Sequence, residues 1–415
     1  MNISELRKNS QRKFYESEIG RIPKEWNVAQ IKNVGEIITG NTPSTKHPEY
    51  YGDTYMFVAP GDIGSSKYVR KTEKYLSGKG FEISRKVPQN SIMMICIGST
   101  IGKIAIASEM LTTNQQINSI IPNEIYNNEY VYYALNYYFN KIKESKIEKQ
   151  AVPIISKSKF SEICIPHIEK QEQRKIADIL SAWDKAIELK EKLIEQKKEQ
   201  KRGLMNKLLT GKLKLSGFNN EWTLKRLKEI CIRIIRKNNG QDVPVLTISS
   251  LSGFLDQSER FSKVIAGKNV EKYTLLKHGE FSYNKGNSKT YPYGCIFRLE
   301  DYEEALVPNV YISFSMNGVD SNFYKYYFEA GLMNDQLAAI INTGVRNDGL
   351  LNLNADEFFD ITLPVPSEYE QKQIGEILDV ATKEINLHQQ ELEALKLQKK
   401  GLMQLLLTGI VRVNN

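Results

Sequence analysis

The sequence predicts a mixed α/β (α+β) protein: two α/β domains separated by two long helices that pair as an antiparallel coiled coil, forming a pseudo-twofold tandem repeat. Residues 166–211 return as residues 364–409 without a gap, at a constant shift of 198 positions (364 less 166). In both copies apolar residues step by three and four, the seam of a long helix. Matching starts stand ahead of the copies, Ile22-Pro-Lys-Glu-Trp26 and Phe218-Asn-Asn-Glu-Trp222, after which the halves diverge. The division is therefore 1–165 and 213–363 for the variable domains, with 166–212 and 364–415 as helical spacers.

The repeat preserves particular residues. Glu172 and Gln173 fall on Glu370 and Gln371; Ile176, Ile179 and Leu180 fall on Ile374, Ile377 and Leu378. Gly203-Leu-Met and Leu-Leu-Thr-Gly211 return as Gly401-Leu-Met and Leu-Leu-Thr-Gly409. The seam runs through Ile176, Leu180, Trp183, Ile187, Ile194, Leu204 and Leu208, and again through Ile374, Leu378, Ala381, Ile385, Leu392, Leu395, Leu402 and Leu406. From Gln171 to Leu209, at about 1.5 Å per residue, the first helix is expected to span roughly 60 Å. A helix with one apolar stripe needs a partner, and its own duplicate is the obvious one. Lys190, Lys197 and Lys201 interrupt one seam and His388 and Lys399 the other, which specifies register at some cost in stability. Pro166, Pro364 and Pro366 precede the helices, and Gly211 and Gly409 sit where a left-handed cap is expected.

Taken in order, the chain opens with a polar stretch through Arg21, read as a loosely ordered arm without a signal-peptide core. A strand or short helix runs through Ile31 to Ile38. Tyr55 to Ile63 and Ser91 to Ala107 read as strands, the latter folded at a Gly98-Ser-Thr-Ile-Gly102-Lys103 turn. Glu129 to Tyr138 and Asn322 to Ile341 read as helices, and Glu280 to Gly294 as strand, turn and strand. The most apolar run, Ile92 to Ala107, is broken by Gly98, Gly102 and Lys103 and is too short for a bilayer.

Composition bounds the chemistry. The 415 residues exceed one core, and 57 basic against 49 acidic residues give +8, which favours a polyanionic partner. Cys96, Cys164, Cys231 and Cys295 are dispersed in apolar contexts and read as buried free thiols of a reducing cytoplasm. His47, His167, His278 and His388 stand apart, which argues against a zinc site. The chain has no Asp/Asn-Pro-Pro-Tyr/Phe motif, no Walker lysine loop and no Pro-Asp ahead of a strand-borne Glu-x-Lys; catalytic residues are expected to be none, metal ligands likewise. Polar loops carry Lys67, Tyr68, Arg70, Lys71 and Lys74, then Ser99, Thr100 and Lys103, in the first domain. The second carries Asn284, Lys285, Asn287, Ser288, Lys289, Tyr291 and Tyr293, with Arg346 and Asn347 further on. Arg, Lys and Asn can read base edges, while Lys, Ser and Tyr hold phosphates, so these are the candidate DNA-binding residues. A rod longer than one turn of B-DNA, about 34 Å, would let two readers address half-sites across an unread gap.

Glu172-Gln173-x-x-Ile176 into Leu180, the Gly203 to Gly211 ending, their second copies, the Ile22-Pro-x-x-Trp26 start, the Gly98 to Lys103 turn and Asn114-Gln-Gln116 together resemble the specificity subunit of Type I restriction-modification systems, over nearly the whole chain. The resemblance implies two target recognition domains, at about 17–165 and 213–363, each reading one half of an asymmetric bipartite double-stranded DNA sequence. It implies paired helices that set the gap and seat two modification (methyltransferase) subunits. Those partners would bring S-adenosylmethionine and adenine N6-methylation, and restriction (translocase/nuclease) subunits would bring ATP and Mg. This chain itself would hold no cofactor, perform no catalysis and associate with no membrane. A stand-alone sequence-specific DNA-binding regulator and a protein-binding scaffold are the competing expectations.

Overall fold

A computed structural model describes residues 14–64, 66–146, 154–238, 240, 242–249, 253–257, 270–286, 291–341 and 351–413. The chain divides into two compact units, 1–191 with 391–415, and 192–390. Four helices organise them: α1 (Asn128–Lys146), α2 (Lys170–Leu208), α3 (Ser321–Glu329) and α4 (Glu368–Leu407). Each long helix contributes one part to each unit.

The first unit begins earlier than the polar composition of its N-terminus suggests. Phe14–Ser17 pairs antiparallel with Gly20–Pro23, which corrects the expectation of a loose arm through Arg21. Gly20 takes the left-handed φ of +99° that closes the turn, Arg21 lies 5.2 Å over the Phe14 ring, and the Tyr15 hydroxyl donates to the Trp26 carbonyl at 3.2 Å. Asn27–Gln30 then pairs with Cys164–His167, the strand that leads into α2. A one-turn helix, Ile31–Val34, feeds the edge strand Gly35–Thr39 of a five-stranded sheet. The sheet continues through Ile117–Pro122, Ile92–Ile95, Ile104–Ala107 and Tyr68–Val69, antiparallel except for the last pair. A second five-stranded sheet holds Tyr51–Gly52, Lys74–Leu76, Tyr55–Val58, Leu111–Thr113 and Lys86–Val87. One face of the first sheet packs on α1, Ile176, Ala177 and Leu180 of α2, and Leu406 and Leu407 of α4 in a single core.

The second unit repeats the inner frame with different loops. Its four-stranded sheet runs Cys231–Ile234, Ile312–Met316, Phe281–Asn284, Cys295–Arg298, all antiparallel, the same order as the first four strands of the sheet above. Thr223–Arg226 pairs with Thr362–Val365 ahead of α4, as Asn27–Gln30 pairs with Cys164–His167 ahead of α2. The segment read as one helix to Ile341 is broken: α3 ends at Glu329 and Asn334–Ile340 forms another helix, because Gly331 turns the chain at φ +68°. All four cysteines are buried and free, and burial pushes their thiols up, Cys96, Cys164 and Cys231 to about 12 and Cys295 to about 11.

The repeated residues of the long helices do the same work in both units. Gln173, fully buried, accepts from the Asn127 N–H at 2.7 Å and donates to the Ile168 and Ile125 carbonyls, tying the start of α2 to the loop before α1. Gln371 accepts from the Asp320 N–H at 2.8 Å and donates to the Pro366 carbonyl, tying α4 to α3. An amide supplies donor and acceptor together, which two buried backbone groups of opposite kind require. Gly211 and Gly409 end the helices at φ +67° and +69°, the first against Trp222 and the second against Pro23 and Trp26.

The lysines that interrupt the seams find carboxylates. In the first unit Lys190 pairs with Glu391 and Lys399 with Asp184; in the second, Lys197 pairs with Glu384 at 2.7 Å and Lys201 with Glu329 at 2.8 Å; Lys396, outside the seam, pairs with Glu191 at 3.1 Å. In the first unit numbers rise on α2 from Asp184 to Lys190 as they fall on α4 from Lys399 to Glu391, so these segments run antiparallel. Ile176, Leu180, Ile194, Leu208, Ile374, Leu378, Ile385, Leu392 and Leu406 are buried, and Trp183, Ile187, Leu204 and Leu402 half-buried; Ile176, Leu180 and Leu406 belong to the core of the first unit and Leu208, Ile374 and Leu378 to that of the second.

Candidate nucleic-acid interface

The shared four-strand frame gathers the polar loops of each domain at the same end. In the first unit that end follows Thr39 and Ile95 and precedes Ile104 and Ile117, so it collects residues 40–43, 96–103 and 114–116. The loops are fixed by short-range bonds. Gly40 donates to the Ile117 carbonyl and Asn41 to the Thr113 carbonyl; a Cβ at Gly40 would lie 2.2 Å from that oxygen, so only glycine fits. The Asn114 side chain accepts from the Gln116 N–H at 3.0 Å and donates to the Gln116 side chain, and Thr42 donates to exposed Gln115 at 2.5 Å. Arg85 donates to the Thr39 carbonyl at 2.8 Å and its backbone to the Asn41 side chain at 2.7 Å. Beneath them Thr39 donates to Asn118, which donates to the Cys96 sulfur.

Ser99, Thr100 and Lys103 sit at this end. Arg70 and Lys71 do not: they follow Tyr68–Val69, whose register with Ile106 and Ala107 puts them beyond the far end of the strand that Lys103 precedes. There, exposed Arg70 and Lys71 share a shallow groove with Asp62 and Glu73, a mixture of charges that attracts a polyanion weakly. Lys74 is exposed at the start of its strand.

Lys67 and Tyr68 face inward. The Lys67 ammonium donates to Glu129 at 2.9 Å, Ser181 at 2.9 Å and Tyr133 at 3.2 Å, which uses its three protons, and Tyr68 donates to Glu129 at 2.5 Å. Burial alone would raise the Glu129 carboxyl, but hydrogen bonds from Ser181, Tyr68 and Lys67 outweigh it and hold the carboxyl below its ordinary 4.5. A depressed carboxylate contributes stability above the unfolded value and loses it as pH falls through the folded one. The first unit is therefore expected to melt progressively lower as pH drops below 4.5, and Glu129→Gln to flatten that dependence while lowering the neutral-pH melting temperature, both read by thermal unfolding across a pH series.

In the second unit the corresponding end follows Ile234 and Asn284 and precedes Cys295 and Ile312. Asn284 accepts from the Gly286 N–H at 2.9 Å and donates to the Ile248 carbonyl, Lys285 donates to the Leu353 carbonyl, and half-buried Tyr291 stands edge-on to Phe297. Asn287, Ser288, Lys289, Arg346 and Asn347 lie outside the described residues. Residues 40–42 and Gln115 were not singled out as DNA contacts from sequence. Their nearness to the Gly98 turn is set by strand order, which no local pattern encodes. Among the described residues no three His, Cys, Asp or Glu side chains come together to hold a metal, and no helix is long and apolar enough to cross a membrane.

Comparison with known proteins places these features. A Methanocaldococcus jannaschii protein, the Type I restriction enzyme MjaIX specificity subunit, is 35% identical over 187 residues, 43% of this chain and 42% of its own length. The MjaVIII specificity subunit of the same organism is 26% identical over 95% of both chains. Among solved structures, the Type-I restriction-modification system S subunit from M. genitalium aligns with TM-score 0.53 at 17% identity, over 92% of this chain and 96% of that one. A chain from a type I R-M system studied for complex assembly and conformational transition aligns with TM-score 0.60 at 13% identity, over 94% and 99%; both likenesses are of fold. The family model of the Type I restriction modification DNA specificity domain matches residues 23–198 and again 219–397, so the chain belongs to that family and carries its domain twice.

Proposed function

We propose that this chain is the non-catalytic DNA-reading subunit of a Type I restriction-modification complex, in which each α/β domain reads one half of an asymmetric bipartite target. The observation that carries the reading is the recurrence of one four-strand frame with its polar loops at the same end in both units, while the loops hold different side chains. Two like frames with unlike surfaces suit two unlike half-sites. The long helices would set the gap and seat two modification subunits, which would supply S-adenosylmethionine and methylate adenine. Restriction subunits, with ATP and Mg, would supply translocation and cleavage. A stand-alone regulator is not favoured, because both copies of the domain match a restriction-modification family.

Mapping methylated adenines in the host genome, with and without this gene, tests the reading. The expected result is a two-part motif with a constant gap whose methylation vanishes on deletion. A methylation pattern indifferent to the deletion would overturn it.

A further inference from the structure

Three polar side chains at the loop end of the first unit make no hydrogen bond or ion pair among the described residues: the hydroxyls of Ser99 and Thr100 and the ammonium of Lys103. The other candidate cation near them, Arg85, is tied to the Thr39 carbonyl. Lys67 is consumed internally, and Arg70 and Lys71 lie beyond the other end of the sheet beside carboxylates. The loop segments that share this end, residues 40–46, 96–103 and 113–118, contain neither Asp nor Glu.

The turn that carries them is rigid. Ile101 donates to the Gly98 carbonyl at 3.1 Å, Gly102 to the Ile95 carbonyl at 2.9 Å and Lys103 to the Thr100 carbonyl at 3.2 Å. Ile101 is a buried plug, and a Cβ at Gly102 would fall 2.2 Å from the Phe139 ring, so the turn is pressed against α1 with no slack. Gly98 and Gly102 take φ of +104° and +87°, which frees the backbone to bend this sharply. A fixed turn that presents two hydroxyls and an unpaired ammonium among loops that carry no carboxylate of their own suits a singly charged oxyanion.

Two hydroxyls beside an ammonium match the oxygens of a phosphate, while the side-chain amides of Asn41 and Gln115 alongside carry the paired donor and acceptor that match an adenine edge. We propose that the Gly98 to Lys103 turn holds a phosphodiester of the DNA backbone, fixing the duplex in register on the first domain without reading sequence. The proposal rests on the DNA-reading function above. It divides the loop end into a positioning part and an amide-bearing part.

The test uses the complex assembled with its methylating partners. Binding is measured across 50 to 200 mM salt to a duplex with the mapped target and to one with the first half scrambled. Lys103→Ala and the pair Ser99→Ala with Thr100→Val are expected to weaken both duplexes by the same factor and to leave the methylated sequence unchanged. Losing one phosphate contact reduces the salt slope by about 0.9, so affinity lost over that range shrinks by about threefold relative to wild type. Lys103→Arg, which keeps the charge, is expected to retain the wild-type slope and guards against a folding defect. An unchanged slope in Lys103→Ala, or a changed methylation motif, overturns the clamp alone. Wild-type binding that is flat in salt overturns the DNA-reading function and the clamp with it. Competition by inorganic phosphate at matched ionic strength would make the turn a free-phosphate site and overturn the assignment to DNA.

Discussion

Adding four residues to each long helix, between Glu191 and Lys197 of α2 and between Glu384 and Glu391 of α4, is expected to widen the unread gap of the DNA target by about two base pairs. Four helical residues add about 6 Å of rise, and B-DNA advances about 34 Å in 10 to 10.5 base pairs, so the lengths agree. Phase agrees as well. Four residues turn the helix about 40° beyond a full turn, while two base pairs turn about 70° in the same right-handed sense; the duplex can take up the difference by twisting. Seven residues would add about three base pairs of length yet fall about 20° short of two turns, while the duplex turns by about 100°. Seven are therefore expected to abolish methylation. The insertion points leave Lys190–Glu391 and Glu191–Lys396 intact in one unit and Lys197–Glu384 in the other. Mapping methylated adenines reads the gap directly. A folded, methylating complex with its original gap would show that the helices do not space the readers.

The sequence revealed the helices because their information is local and repeated. Ile176 to Leu208 and its copy carry a seam that any alignment shows, and Glu172-Gln173 marks the junction where Gln173 clips α2 to the loop before α1. The interrupting lysines were legible as register devices, but not their partners: nothing in the order of residues joins Lys399 to Asp184. The loop ends depended on strand order in the same way. Ser99 and Arg70 look alike as polar loop residues, yet the parallel pairing of Tyr68–Val69 with Ile104–Ala107 sends them to opposite ends. Lys67 was misjudged for a related reason. The polar residues around it in sequence, Ser66, Arg70 and Lys71, are exposed, whereas the groups that claim it, Glu129 and Ser181, lie 62 and 114 positions away. Hydrophobic periodicity reports burial of apolar residues and is silent about a buried ammonium.

Asp184→Lys is expected to be the most damaging single charge change in the first unit. The Asp184 carboxylate accepts from the Tyr133 hydroxyl and from Lys399, and lies 4.0 Å from Lys67. Lys399 also sits 5.5 Å over the Tyr133 ring. Reversal replaces the acid that Lys67 and Lys399 share with a third cation, leaving Lys67 only Glu129 among the described residues, and both ammonium groups are mostly covered, 13% exposed at Lys67 and 19% at Lys399. Breaking one side of a buried pair costs about 3 to 5 kcal/mol, and partial exposure puts this case near about 3. For a unit of this size that corresponds to a melting temperature lower by about 6 to 12 °C. Lys399→Asp added to Asp184→Lys restores one opposite-charge pair but leaves Lys67 facing a cation, so recovery of about half is expected. Asp184→Asn, which keeps an acceptor for Tyr133 and loses only the charge, should fall between wild type and the reversal. Strict additivity of the two reversals would show that the pair does not couple α2 to α4. Because both residues lie on the helices rather than at the loop end, the half-targets methylated by a complex that still folds should stay the same; a changed half-target would make this network part of the reader.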